Sequence, residues 1–284
     1  MSADKIHTDD TPVPVLQPGR KTTKEGRLWT YVRDGTGWHD PTPGAVWFAY
    51  SPDRKGEHPK AHLKDFSGDM QADAYGGYDR IYEDRKDTDK PIREVACWAH
   101  ARRKFYGLIK STDSPLATQA VELIAKLYVV ESSVRGKAPE QRQAARQAHA
   151  VPVLAQIKAW MIATAAKVSR KSEMAKAINY SLTRWDALVR YTTNGKLEID
   201  NNAAERSVRP IALGRKNWMF AGSDEGGKRA AALYSLIGTA KMHGLNPEAY
   251  LRDVLARIND QKITEIDALL PWNMKPEIVG NASD

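Results

Sequence analysis

Asp69-Met-Gln-Ala-Asp73 is the stretch on which the fold turns. It reads as a strand ending in an acid. A helix candidate, His58 to Phe66, precedes it. The Gly76-Gly77 turn, a short helix from Tyr78 to Arg85 and the strand Ile92-Arg-Glu-Val-Ala-Cys97 follow. Strands separated by helices suit parallel crossovers, because parallel neighbours cannot be joined by a tight hairpin. Upstream lie three strand candidates: Ile6 to Leu16, Arg27-Leu-Trp-Thr-Tyr-Val-Arg33 and Ala45-Val-Trp-Phe-Ala-Tyr50. The second alternates, with Leu28, Thr30 and Val32 on one face. Pro12 and Pro14 lack the N–H that a ladder needs, so the first is expected to pair only over its leading part or at an edge. The order β-β-β-α-β-α-β predicts an α/β fold, a mixed sheet with a three-stranded antiparallel meander followed by parallel strands.

From Trp98 to about Arg190 the reading is helical. Ser114-Pro115 is an N-cap and N1 pair. Leu116, Ala120, Leu123, Ile124 and Leu127 form one apolar stripe. Val153, Ile157, Met161 and Val168 form a second, and Ile178, Trp185 and Leu188 a third. Such stripes are packing surfaces. Gly136 to Pro139 breaks two helices. After the turn Thr192-Thr-Asn-Gly195, a short helix from Asn201 to Arg209 is expected to stop at Pro210. Trp218-Met-Phe-Ala221 is short and apolar. Helices are expected from Lys228 to Met242 and, after Asn246-Pro247, from Glu248 to Asn259. Ile266 to Met274 should pack back on the body, and the last ten residues should fray.

The chain has 284 residues, with 43 Lys and Arg against 35 acids and a net charge of +8. That excess favours a polyanionic partner without requiring one. One cysteine, Cys97, excludes an internal disulfide and suits a reducing cytosol. No apolar run approaches the ~20 residues of a membrane span, and no signal-peptide pattern opens the chain. A soluble, cytoplasmic protein with no membrane partner is the expectation. Met1-Ser-Ala-Asp-Lys-Ile6 leads almost directly into a strand, so any N-terminal domain of a larger system is expected to be missing or supplied separately.

Asn201-Asn-Ala-Ala-Glu205, followed by Arg206 and Arg209, puts a carboxylate on the first turn of a helix. Alone, that is a capped start with surface charges. Two-metal phosphoryl transfer needs carboxylates that hold two divalent cations ~3.5–4 Å apart. Mg²⁺ prefers oxygen ligands. In a ribonuclease-H-type order, strands one and four are neighbours, so Asp9 and Asp73 can supply two acids and Glu205 a third. A shared cluster requires the three to converge to within ~10 Å. The same three also read as ordinary turn and cap acids. Asp10 competes with Asp9, since successive strand residues face opposite sides.

His7-Thr-Asp-Asp-Thr-Pro-Val13, Gly26-Arg-Leu-Trp29, Ala49-Tyr-Ser-Pro-Asp-Arg54 and Gln71-Ala-Asp-Ala-Tyr-Gly-Gly-Tyr78 occur in order. Cys97-Trp-Ala-His-Ala-Arg-Arg-Lys-Phe105, Asn201-Asn-Ala-Ala-Glu-Arg206 and Arg215-Lys-Asn-Trp218 follow them. Together these motifs resemble the catalytic half of the Insertion Sequence 66 family of transposases, and Tyr234 to Trp272 resembles that family's C-terminal segment. The resemblance implies a DDE transposase that cuts DNA strands and transfers them. It implies a ribonuclease-H-like core in 1–97, a helical insertion in 98–190, the Glu-bearing helix in 191–232 and a C-terminal segment in 233–284. It carries the acid triad onto Asp9, Asp73 and Glu205, with Mg²⁺ as cofactor and Mn²⁺ as substitute. The implied partners are transposon-end and target DNA, a second copy of the chain on that DNA and accessory proteins of the element, all at the nucleoid. The family's first motif usually reads Asp-Glu-Thr where this chain has Asp9-Asp10-Thr11. Members also carry an N-terminal half for end binding and oligomerisation, so end recognition by this chain alone is not expected. The other reading is a truncated remnant that binds DNA without chemistry.

Beside such a site, His100 can touch DNA or orient an acid, or be a hydrogen-bonded imidazole next to a buried Cys97 thiol. Zinc is not expected, for want of a second cysteine. Arg102, Arg103 and Lys104 on one turn, with Arg206, Arg209, Arg215 and Lys216, are candidate phosphate contacts or solvated faces. Trp218 reads as core, with base stacking as the alternative. Gly222-Ser-Asp-Glu-Gly-Gly-Lys228 misses the phosphate-loop pattern at Arg229 and carries two acids where phosphates would sit, so it is expected to cap a helix from Lys228.

Overall fold

A computed structural model describes residues 3–274. The expected fraying of the last ten residues lies outside them. The strands are β1 (Lys5–Val15), β2 (Lys24–Arg33), β3 (Ala45–Ser51), β4 (Gly68–Ala72) and β5 (Ile92–Ala96). Helices α1 (Glu57–His62) and α2 (Asp79–Arg85) flank β4 in the chain. After β5 come α3 (Trp98–Thr112), α4 (Pro115–Val134), α5 (Pro139–Ala145), α6 (Val151–Ala165), α7 (Glu173–Thr183) and α8 (Trp185–Val189). Then follow α9 (Asn202–Trp218), α10 (Asp224–Met242) and α11 (Pro247–Arg257). The predicted β-β-β-α-β-α-β order holds. The sheet runs β3-β2-β1-β4-β5, with β1–β2 and β2–β3 antiparallel and β4–β5 parallel.

The described chain divides into two compact units, residues 3–6, 35–40 and 65–202, and residues 7–34, 41–64 and 203–274. The first holds β4, β5 and the helices from α2 to α8. Its core joins Val95, Phe105, Ile124, Leu127, Ile157 and Ile178. Trp98 meets Trp185 edge-on and donates its indole N–H to the Leu188 carbonyl at 2.9 Å. Leu116 is exposed and not part of the first stripe; Ala117 turns inward in its place, beside the expected Ala120. Two arginines inside the helical region are fully buried. Arg146 is bidentate to Glu131 at 2.7 Å and donates to the Tyr191 carbonyl, and Arg142 pairs with Glu198 at 2.9 Å. Buried charge survives only when paired and hydrogen-bonded, and these pairs fasten the chain after α8 onto α4, α5 and the helical turn between α5 and α6.

The second unit holds β2, β3, most of β1, α1 and α9 to α11. Its core joins Val13, Val15, Leu28, Phe48 and Ile211, and a satellite core joins Tyr250, Val254, Leu269 and Met274 under the packed-back tail. The prolines do not confine β1. It pairs with β2 from His7 through Val15. The carbonyls of Pro12 and Pro14 point away from β2, toward the Arg215 guanidinium and the Ala221 N–H. A residue's N–H and C=O share one side of a strand, so the missing donors fall on that far side too and β2 loses nothing. Pro210 does not end its helix either; α9 continues to Trp218 with Pro210 inside. The cost of an interior proline is offset by burial of Ile211 and the packing of Val208 and Trp218 on the same core.

β3 ends the sheet, and α10 covers its edge. Thr239 Oγ1 accepts from Val46 N–H and donates to Val46 O, both at 3.1 Å, and Ser235 Oγ accepts from Phe48 N–H at 2.8 Å. These hydroxyls satisfy groups that would otherwise template another strand. Close approach needs small residues: a side chain at Gly238 would strike Val46, and one at Gly227 would strike the Tyr50 ring. Within the glycine run, that packing accounts for Gly227 without any phosphate. Helix α10 begins at Asp224 rather than at Lys228. Ser223 Oγ accepts from Gly226 N–H at 3.0 Å, and Asp224 takes Lys24 at 2.6 Å and the Tyr50 hydroxyl at 2.5 Å. Among the described residues, no helix is long and apolar enough to cross a membrane.

Candidate active site

Asp73 follows directly on β4. Gln71, two residues earlier and so on the same face of the strand, is fully buried. Its amide donates to the carbonyls of Glu198 (2.8 Å) and Asp200 (3.1 Å) and accepts from Glu198 N–H (2.9 Å). At the end of β5, Trp98 N–H donates to Ile199 O at 3.1 Å, and Cys97 Sγ accepts from Asn201 N–H at 3.2 Å. The chain entering α9 is thereby stitched to the C-terminal ends of β4 and β5. Cys97 is 2% exposed. Neither it nor Gln71 was marked by the sequence as holding this segment. A glutamine in the middle of an otherwise buried strand is the one available signal.

A cavity of about 280 Å³ in the first unit is lined by Asp73, Ala74, His100, Arg103, Lys104 and Tyr180. Four residues singled out from sequence thus share one opening: an acid, an imidazole and two cations. They come from the end of β4 and from the first two turns of α3. Tyr180, on α7, has no sequence signal linking it to them. Its hydroxyl is pushed up to about 12, chiefly by burial, so it stays a neutral donor. Lys104 lies 4.3 Å from its ring. Arg102 faces elsewhere, over Tyr106.

In the second unit, Asp9 and Asp10 sit in the middle of β1, opposite Thr30 and Trp29. Their roles separate. The Asp10 carboxylate is 1% exposed and holds Arg27 at 3.0 Å and Arg54 through both oxygens at 2.7–3.1 Å. Its lone pairs are committed to two guanidinium groups. Asp9 takes a different side, with its Oδ1 accepting the Asp10 N–H at 2.8 Å. Glu205 lies in the first turn of α9. Arg206 does not pair with it; it reaches Asp34 at 3.5 Å. Arg209 and Lys216 are exposed, whereas the Arg215 guanidinium is engaged with Pro12. Trp218 packs partly buried on the core, as expected. Asp73 belongs to the first unit, Asp9 and Glu205 to the second.

A mixed sheet of this order, with a helical segment between its last strand and the helix bearing Glu205, is a ribonuclease-H-like α/β architecture. Comparison with known proteins narrows the class. Residues 1–229 match the Transposase IS66 family, and residues 235–272 match the IS66 C-terminal element. The chain belongs to the IS66 transposase family. It is 41% identical over 285 residues to uncharacterized protein y4jD of Sinorhizobium fredii, covering 99% of this chain and 56% of that protein. It is 38% identical over 286 residues to uncharacterized protein y4hP of the same organism, covering 96% of this chain and 51% of that protein. The chain spans about half the length of these relatives.

Proposed function

We propose that this chain is the catalytic part of a DNA transposase, cleaving DNA strands and transferring them, with Asp9, Asp73 and Glu205 as the acids that hold Mg²⁺ or Mn²⁺. The observation that carries the reading is the cavity in which Asp73 is grouped with His100, Arg103 and Lys104. A carboxylate among cations is what a phosphodiester site needs: an oxygen ligand for a hard cation, and positive charge for the phosphate. The donor set fits such a cation, since all three acids offer oxygen and the competing Asp10 is spent on arginines. When bound, the metal supplies activation of the attacking hydroxyl and neutralisation of the leaving oxygen.

The chain's own side chains do the positioning. Arg103 and Lys104 hold the phosphate at the cavity mouth, and His100, in the first turn of α3, orients it or an acid. The anchors at Gln71 and Cys97 fix where α9 starts. Arg206, Arg209 and Lys216, in the second unit, are exposed cations for DNA phosphates, and the place of action is the nucleoid. Self-association on DNA and accessory proteins of the element complete the proposal.

The test is strand cleavage and transfer on pre-nicked DNA bearing the element's ends, with Mn²⁺. Wild type should convert substrate and Asp73→Asn should not. Conversion by neither would leave a DNA-binding protein without chemistry, and equal conversion by both would remove Asp73 from the site.

A further inference from the structure

Phe105 and Tyr106 are neighbours on α3 with opposite fates. Phe105 is fully buried, whereas Tyr106 keeps 40% of its surface exposed. Tyr106 stands in a row with Arg102 and Lys110, at i, i+4 and i+8 on one helix face. The Arg102 guanidinium lies 5.4 Å from the Tyr106 ring and the Lys110 ammonium 5.1 Å from it. The row spans ~12 Å at 1.5 Å per residue. Next to Tyr106 is Gly107, in the interior of a helix, where a side chain would meet nothing within 4 Å. Glycine there costs helix stability and no packing within the chain demands it.

This face opens on a groove of about 520 Å³, lined by Arg102, Arg103, Tyr106, Tyr128, Asn202 and Asp200 among others. Asp200 is the acid in it, and both its carboxylate oxygens are taken by Asn202, at 3.1 Å from N–H and 2.7 Å from the side-chain amide. The Tyr128 hydroxyl is held protonated, first by burial and then by the Asp200 charge, and so presents a donor. Arg103 lines this groove and also the cavity of Asp73 and His100, so one guanidinium is common to both openings.

We infer that the Arg102–Tyr106–Lys110 face of α3 is a stacking platform for an unpaired base of the DNA strand leaving the Asp73 cavity. The inference rests on the DNA reading of that cavity. Both cations lie over the ring, so an incoming nucleobase takes the place of one on the π-face and leaves it for an adjacent phosphate, and a paired duplex cannot present a base face to a side chain. The platform therefore selects nicked, gapped or frayed DNA over intact duplex.

The experiment is fluorescence anisotropy of the full chain in EDTA, so that it is independent of metal and of cleavage. The probes are a fully paired duplex and the same duplex with a three-nucleotide gap. Tyr106→Ala should weaken the gapped probe roughly 10-fold, within the range for loss of one stacked base, and the paired probe less than about twofold. Its salt dependence should be unchanged, whereas Arg102→Ala and Lys110→Ala should each lower the salt slope by about one. Tyr106→Trp should retain gapped-probe binding. Equal loss on both probes, or none on either, overturns the inference. So does failure of the wild type to prefer the gapped probe, a result that leaves the metal-dependent cleavage assay to judge the catalytic reading by itself.

Discussion

Asp10→Asn and Asp9→Asn should fail in opposite ways. The Asp10 carboxylate is almost wholly buried and neutralises Arg27 and Arg54, whose side chains are 14% and 39% exposed. Removing the shared counter-charge of a buried ion pair costs about 3–5 kcal/mol. Here water reaches Arg54, and Arg27 also touches Glu25 at 2.7 Å, so screening lowers the cost to about 2 kcal/mol. For a chain of this size, 1 kcal/mol moves the melting temperature by about 2–4 °C, which gives a drop of about 4–8 °C for Asp10→Asn. Asp9→Asn keeps an acceptor for the Asp10 N–H and leaves both arginines paired, so its melting temperature should stay within about 2 °C of wild type. On the proposed function, Asp9→Asn abolishes Mn²⁺-dependent cleavage, while Asp10→Asn retains it below its own melting transition. Circular dichroism melts and the cleavage assay read both arms. A fully stable Asp10→Asn that is catalytically dead, beside an active Asp9→Asn, would show that the two acids have been assigned the wrong way round.

Gln71→Leu removes three bonds to the chain entering α9 and strands buried backbone groups, at about 3 kcal/mol. Hydrogen exchange at Glu198 and Asn201 should quicken; unchanged exchange would mean that segment is held by other means. Thr239→Val strips the hydroxyl from the β3 edge and should cost about 1–2 kcal/mol, with faster aggregation on partial unfolding, read by light scattering. His62 is held near 4, below its usual 6.5, chiefly by burial, and its Nδ1 lies 3.0 Å from the Tyr31 hydroxyl. Above pH 6.5 it is neutral in both folded and unfolded chains. Below that the unfolded chain takes a proton that the folded one refuses until about pH 4, so stability falls across that window. His62→Gln should flatten the fall in melting temperature between pH 6.5 and 4, and an unaltered slope would place the titrating group elsewhere.

The β-β-β-α-β-α-β order was legible because apolar strand candidates are separated by connections that carry glycine or proline. Ser114-Pro115 and Asn246-Pro247 opened helices where their cap chemistry put them. What proline does in a given place was not legible. Pro12, Pro14 and Pro210 all read as breakers, yet none breaks its element. Whether a missing N–H matters depends on which side of the strand needs donors, and that side is set by Arg215 and Ala221, some two hundred residues away. The same limit applies to the acids. Adjacent Asp9 and Asp10 are chemically identical in sequence, and only Arg27 and Arg54, from two other segments, tell them apart.

The helical segment between β5 and α9 gains a purpose from its buried charges. Read from periodicity, it is only packing, and Arg142 and Arg146 lie outside its apolar stripes. Both are buried, and both reach the stretch from Tyr191 to Glu198. Gln71, Trp98 and Cys97 continue the same stretch to Asn201. A connection that only needed to link α8 to α9 would not require fully desolvated guanidinium groups, which are costly unless geometry must be held. Their presence along this one run means that the segment from Tyr191 to Asn201 is held in place within the first unit rather than left as a free loop.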